Sequence, residues 1–284
     1  MKNKRSFLAV PYVVWMALFV VFPIVMIVVY AFTSSAGGFT MEHFASMGTY
    51  AVVFGRSFKL ALIATAVCLL IGYPVSYMMS KEGPQFQRIA MVLIMLPMWI
   101  NFLLRNYSWM SILENNGLMK NLLRNMGILS LYNSVSGAEL EYFPMLNTQG
   151  AVVLGMVYNY LPFMILPIYS VIIKLDKSLI YAAQDLGANT FNVFRRVILP
   201  LSLPGVLSGI TMVFVPSVST FAISKMLVGG TELLLGDLIE QQYLGGYYNP
   251  HLGAAISLVM MVIVVVCMVV MNRFGEGEEQ AVML

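Results

Sequence analysis

Six stretches of the chain are apolar over lengths that approach or exceed the roughly 20 residues a helix needs to cross a bilayer. They are residues 7–32, 58–80, 89–104, 149–173, 197–221 and 252–271. Hydrocarbon offers no partner for a peptide N–H or C=O, so each crossing segment must satisfy its own backbone, as a helix does. Hydrophobic residues make up 60% of the chain and charged residues only 10%, against about 25% charged in a soluble domain. The expected fold class is an all-α integral membrane protein with six transmembrane helices. The third run is the shortest, and its helix has room to continue past Arg105.

Basic residues set the expected orientation. With the N-terminus inside, the inner segments 1–6, 81–88, 174–196 and 272–284 hold ten of the sixteen Lys and Arg residues, which places both termini in the cytoplasm. Residues 1–6 are basic and an apolar run follows, as in a signal peptide. That run is far longer than the roughly 7–15 residues of a signal h-region, so it is expected to stay as the first span.

Several classes of activity find no support. The net charge of +3 is spread along the chain, without the basic block that nucleic acid binding requires. Cys68 and Cys267 lie in apolar runs, and His43 and His251 each stand apart from any second ligand in sequence, so no metal site is expected. The glycines from Gly229 to Gly236 lack the Lys-Ser/Thr that completes a phosphate loop. No catalytic constellation is recognisable, and the chain is read as a non-enzyme. No Asp, Glu, Lys or Arg lies in the middle of a span, whereas ion-driven transporters commonly carry ionisable groups there. The energy source is expected elsewhere, although sodium coupling through uncharged groups such as Thr65 and Ser217 stays open.

Nine of the twelve prolines fall in the apolar runs. Each interior one frees a carbonyl and bends its helix, which suits a bundle around a pathway. Gly205 and Gly209 form a GxxxG pair in the fifth run, fit for close helix packing inside the chain or against a partner. Residues 117–127 carry apolar side chains at helical spacing, the pattern of an amphipathic helix on the outer face.

The loop between the fourth and fifth runs is the most informative segment. Asp176 suits the N-cap of a short helix reaching Leu186, Gly187 suits the left-handed position that ends it, and Asn189 or Thr190 suits the cap of a second helix meeting Pro200. Ala182 and Ala183 give the first helix a low surface, while Leu175, Leu179, Leu186, Phe191 and Phe194 supply apolar contacts. Such a knob fits a groove on a partner or lies as a connector on the inner leaflet.

This loop resembles that of permeases from binding-protein-dependent ABC importers, whose pattern is Glu-Ala-Ala-x3-Gly-x9-Ile-x-Leu-Pro. Ala182, Ala183, Gly187, Leu199 and Pro200 match it, Val197 replaces the isoleucine, and Tyr181 replaces the acid, with Asp185 one turn further on. Stretches including Gly155–Tyr169 and Leu199–Gly205 look like the spermidine/putrescine permeases of that family, and the likeness covers residues 57–270. The resemblance implies a type I importer permease fold: a first helix and outer loop (1–56), a core (57–270) with a coupling loop at 174–196, and a cytoplasmic tail (271–284). It implies a multi-pass protein of the bacterial inner membrane. Its partners would be an ABC ATPase in two copies, a second permease and an extracytoplasmic substrate-binding protein. ATP and Mg would bind the ATPase, and no cofactor would bind this chain. A polyamine pathway needs acceptors and aromatic faces. Candidates are Trp99, Asn101, Tyr107, Trp109, Tyr158, Asn159 and Tyr160, with Asp237 and Glu240 nearer the outside, although Trp and Tyr at span ends also form interfacial belts. Another importer substrate (ferric ion, an opine, thiosulfate) and a self-contained secondary transporter are the alternatives.

Overall fold

The computed structural model describes residues 10–34, 37–114, 117–127, 145–230, 232–246 and 248–282. Among these it is all helical, apart from a single antiparallel bridge between Thr33 and Phe39. The helices are α1 (Val10–Ala31), α2 (Glu42–Ser46), α3 (Ala51–Lys81), α4 (Pro84–Met95, extended by a 3-10 turn Leu96–Trp99), α5 (Phe102–Leu113), α6 (Leu118–Asn125), α7 (Gln149–Ile172), α8 (Lys177–Asp185), α9 (Thr190–Leu201), α10 (Leu203–Val218), α11 (Ala222–Leu227), α12 (Leu235–Leu244) and α13 (Pro250–Val282).

Four segments are long and apolar enough to cross a membrane unbroken: Val10–Ala31, Glu42–Lys81, Gln149–Ile172 and Pro250–Met271. Two more crossings are bent pairs. Pro84–Trp99 and Phe102–Leu113 meet at 89°, and Thr190–Leu201 and Leu203–Val218 meet at 62°. Counting each pair once gives the six expected crossings, but the third and fifth are not the continuous helices the sequence suggested. The third breaks because Pro97 removes an amide donor and Ile100 is extended (ψ 141°), after which Asn101 caps a fresh helix that does run on through Arg105. The fifth breaks at Ser202, between Pro200 and Pro204, after a π-helical turn over Phe194–Ile198 absorbs the lost ladder bonds. Helix α13 runs on through the predicted tail to Val282.

The core is the packed trio α3, α7 and α10, with α13 against α10 and α1 against α13. Small residues set the spacing. A Cβ on Gly205 would fall 2.8 Å from Pro167 O, and one on Gly209 would fall 2.8 Å from Met164 Sδ. The GxxxG pair therefore serves packing inside the chain, between α10 and α7. Hydroxyls stitch the trio: Ser76 Oγ donates to Ile165 O at 3.0 Å, and Tyr73 Oη meets Ser202 Oγ at 2.7 Å. The outward face of α1 stays uncovered by protein, as lipid-facing surface does.

The two histidines, separated by 208 places in sequence, are neighbours in space. Their rings stack at 5.7 Å, His43 Nε2 reaches Thr33 O and His251 Nδ1 reaches Tyr30 O. Both donate to carbonyls near the end of α1, so His43 fastens that end to α2 and His251 fastens it to the start of α13. Among the described residues no third His, Cys, Asp or Glu joins them as a metal-binding group.

Candidate functional site

The elbow at 174–200 is built from local rules. Asp176 accepts from Ser178 N at 2.9 Å and caps α8. That hydrogen bond holds its carboxyl below the usual aspartate range. At the other end Gly187 has φ +82°, its N–H donates to Gln184 O at 2.8 Å, and Ala188 N–H donates to Ala183 O at 3.0 Å. This is the six-to-one and five-to-two pair of a Schellman stop, for which the left-handed residue is best a glycine. Asn189 rather than Thr190 then caps α9, accepting from Asn192 N at 2.8 Å.

No residue of α8 is buried. Leu179, Tyr181, Leu186 and Phe191 are exposed, Leu186 to 89%, so the elbow presents an apolar surface that its own chain does not cover. Phe194 anchors the far side, edge-on to Tyr73 at 5.7 Å and to Tyr77 at 5.2 Å. Leu199 is half-buried and Pro200 is exposed at the turn into the Ser202 bend. The elbow is thus tied by rings and by the Tyr73–Ser202 contact to the C-terminal end of α3.

The candidate pathway residues separate into groups. Trp99 and Tyr107 are exposed on the bent pair. Asn101 is also exposed, but its Oδ1 is engaged as the cap of α5, accepting from Leu103 N at 2.9 Å and Leu104 N at 3.4 Å. Trp109 is half-buried and meets Tyr158 edge-on at 5.2 Å. Asn159 is 2% exposed. Its Nδ2 donates to Asn106 Oδ1 at 3.0 Å and to Gly155 O at 2.8 Å, which makes it a brace between α5 and α7. Tyr160 donates to Pro216 O at 3.5 Å. Arg105 lies near enough for its charge to reach the Tyr160 hydroxyl, yet its Nε and Nη1 are sealed from solvent without a hydrogen-bond partner. Asn106, Arg105, Tyr73 and Ser202 were not singled out by sequence. Asn106, Tyr73 and Ser202 meet partners tens of residues away, and no local pattern marks any of the four.

The outer acids differ in environment. Glu240 pairs with Lys225 at 2.9 Å near the surface. Asp237 is 6% exposed and accepts from Leu234 N at 3.0 Å, with Oδ1 unpartnered. Burial pushes its carboxyl above the ordinary aspartate range, against the pull of the Ser224 hydroxyl, the Leu234 amide and Lys225. A raised folded-state pKa means that the folded protein gains protons relative to the unfolded chain. Stability therefore rises as pH falls from above that raised value towards the ordinary value of about 4. Asp237→Asn, which keeps an acceptor for Leu234 N, is expected to raise the melting point at pH 7 by an amount corresponding to about 1 kcal/mol. The gain should shrink as pH approaches 4, as thermal melts across that range would show.

The Asn159 brace gives a second prediction. Asn159→Leu keeps the volume but strands Asn106 Oδ1 in a dry site, and an unsatisfied buried group costs about 1–3 kcal/mol. A lower melting point in detergent is expected, with a smaller loss in the Asn106→Leu, Asn159→Leu double variant.

The described residues form a bent helical bundle with up to six candidate membrane crossings and an exposed, capped elbow. Residues 69–277 match the model of the family described as the binding-protein-dependent transport system inner membrane component, and the chain belongs to that family. It is 38% identical over 270 residues to the spermidine/putrescine transport system permease protein PotB of Haemophilus influenzae, covering 92% of this chain and 91% of that one. It is 33% identical over 257 residues to PotB of Escherichia coli, covering 88% and 90%. Among solved structures, a bacterial ABC transporter that imports alginate matches with a TM-score of 0.74 at 17% identity, over 97% of both chains. The MetNI methionine ABC transporter matches with a TM-score of 0.54 at 17% identity, over 84% of this chain and 98% of that one. The type I importer permease fold expected from the elbow is the fold observed.

Proposed function

We propose that this chain is one permease subunit of an ATP-driven importer of spermidine and putrescine, with both termini in the cytoplasm. The elbow carries the reading: a helix capped at both ends, exposed on every residue class that a groove would cover, and tied to the bend of the fifth crossing. The names of the relatives support the substrate class. In this reading α8 seats in an ABC ATPase subunit. Ala182 and Ala183 allow close approach, and Tyr181 with Asp185 supplies polar contact where the family pattern has an acid. ATP and Mg bind the ATPase, not this chain. A second permease completes the pathway, and a soluble binding protein delivers substrate.

Closure of the ATPases moves α8 as a rigid lever about Gly187, and Phe194 and Ser202 pass the movement to α3 and α10. Coupling requires only that the ATPases bind the inward-open and outward-open arrangements with different affinity. Trp99 and Tyr107 offer uncovered ring faces to an ammonium group, Trp109 and Tyr158 shape the wall behind them, and Asn159 and Tyr160 hold that wall in place. Asp237 and Glu240 belong to the outer mouth.

The test is uptake of radiolabelled spermidine into proteoliposomes holding both permeases, the ATPase and the binding protein. ATP-dependent uptake, competed by putrescine, is expected. Assembly with ATP-dependent uptake of another solute would move the substrate and keep the class. One observation favours such a second reading: Arg105, beside the Phe102 ring, keeps Nε and Nη1 buried without a hydrogen-bond partner, which suits a carboxylate or oxyanion, such as an opine or thiosulfate. Competition by those anions, but not by putrescine, would establish it.

A further inference from the structure

We propose that the cleft between α8 and the α3–α4 turn binds the headgroup of an anionic phospholipid of the inner leaflet. This rests on the orientation given above, which puts the elbow on the cytoplasmic side. The cleft has a volume of about 510 Å³, within the range of roughly 300–1,000 Å³ of small-molecule sites. It lies where the inner ends of several crossings converge: α3 ends at Lys81, α4 begins at Pro84, α7 ends at Ile172 and α9 begins at Thr190. That is the level at which lipid headgroups sit.

The lining carries both chemistries that a lipid does: Ile172, Ile173, Ile180, Val193 and Ile198 are apolar, and Lys81 and Lys177 join the Ser80 and Thr190 hydroxyls as polar groups. Neither lysine is ion-paired within 4 Å among the described residues; Lys81 Nζ instead lies 4.1 Å from the Tyr77 ring centre. The one acid in the lining is Glu82, which suits the hydroxyls of a glycerol headgroup. The framing segments 81–88 and 174–196 carry six basic residues against three acids. A basic pocket between the inner ends of spanning helices is the setting in which anionic lipid headgroups bind. A lipid seated there bridges α8 to α3, and so stiffens the lever that the ATPase moves.

Native mass spectrometry of the full-length permease from nanodiscs of phosphatidylethanolamine, with and without a quarter phosphatidylglycerol, tests retention without needing any partner. Wild type is expected to retain phosphatidylglycerol selectively. Lys81→Gln and Lys177→Gln should each weaken retention about fivefold, Ile180→Trp should block it by filling the cleft with the charges intact, and Lys225→Gln at the opposite end should leave it unchanged. Phosphatidylglycerol in the assembled transporter should raise the number of substrates carried per ATP, and Lys81→Gln should remove that gain. Equal retention of both lipids, retention untouched by Ile180→Trp, or the same gain from millimolar inorganic phosphate in phosphatidylethanolamine vesicles would overturn the lipid assignment. Selective retention by a chain that fails to assemble with an ATPase would instead count against the importer reading alone.

Discussion

Gly187→Pro is expected to abolish ATP-driven transport while leaving the membrane bundle folded. Gly187 sits at φ +82°, and proline is fixed near −65°, so the Schellman stop cannot form. Proline also removes the amide that donates to Gln184 O. The lost turn and hydrogen bond together amount to about 3 kcal/mol or more, concentrated in a segment whose α8 residues are nowhere buried in this chain. The damage should therefore stay local. The melting point of the isolated chain should change little, α8 should lose its fixed angle to α9, and transport should fall at least about tenfold. Gly187→Ala separates conformation from the missing amide. It keeps the N–H but places a Cβ in the left-handed region at about 1–2 kcal/mol, and with nothing within 4 Å of that Cβ it should retain partial transport. Equal transport by wild type, alanine and proline variants would mean that the angle of the elbow carries no coupling.

Gly205→Leu is expected to have the opposite character, destabilising the fold instead of uncoupling the elbow. A Cβ at Gly205 would stand 2.8 Å from Pro167 O and 2.9 Å from Val171 Cγ2. The first of these is backbone of α7, in the middle of the core, and cannot swing aside. Overpacking commonly costs about 1–3 kcal/mol, and this case belongs at the upper end because α7 and α10 must separate. A fall in melting point of about 6 °C or more is expected for the isolated chain, measured in detergent without any partner. A GxxxG pair reserved for the second permease would give the reverse: an unchanged melting point and a failure of pairing.

The two variants also divide what the sequence makes legible from what it hides. The elbow was readable because its rules are local. Asp176 and its Ser178 amide, Gly187 and its turn, and Asn189 and its cap all lie within a few residues of each other. The number of crossings was readable from hydropathy alone. The bends were not: Pro97, Pro200 and Pro204 mark places where a helix is weakened, but angles of 89° and 62° come from what the freed segments pack against. Asn101 illustrates the limit: the apolar run 89–104 gives no sign that Asn101 opens a new helix as its cap. Asn159 is a pathway candidate by sequence, and its bracing contact with Asn106, 53 residues away on α5, is visible only in three dimensions. The same holds for the His43–His251 stack, for Tyr73 with Ser202, and for the cleft made by two loops distant in sequence. Residues 128–144, part of the outer connection, lie outside the described residues, as do the first three residues of the first predicted span.

Chemical crosslinking at the tip of the elbow tests the central claim most directly. Leu186 is 89% exposed, so Leu186→Cys, with Cys68 and Cys267 replaced by alanine, offers one accessible thiol at the stop of α8. In membranes containing the full transporter, a short maleimide–diazirine reagent attached to this cysteine is expected, on illumination, to join it to the ATPase subunit, with a yield that changes between nucleotide-free and ATP-trapped states. A crosslink to the soluble binding protein, or none at all in a preparation that transports with ATP, would contradict both the orientation and the coupling role assigned to residues 174–200.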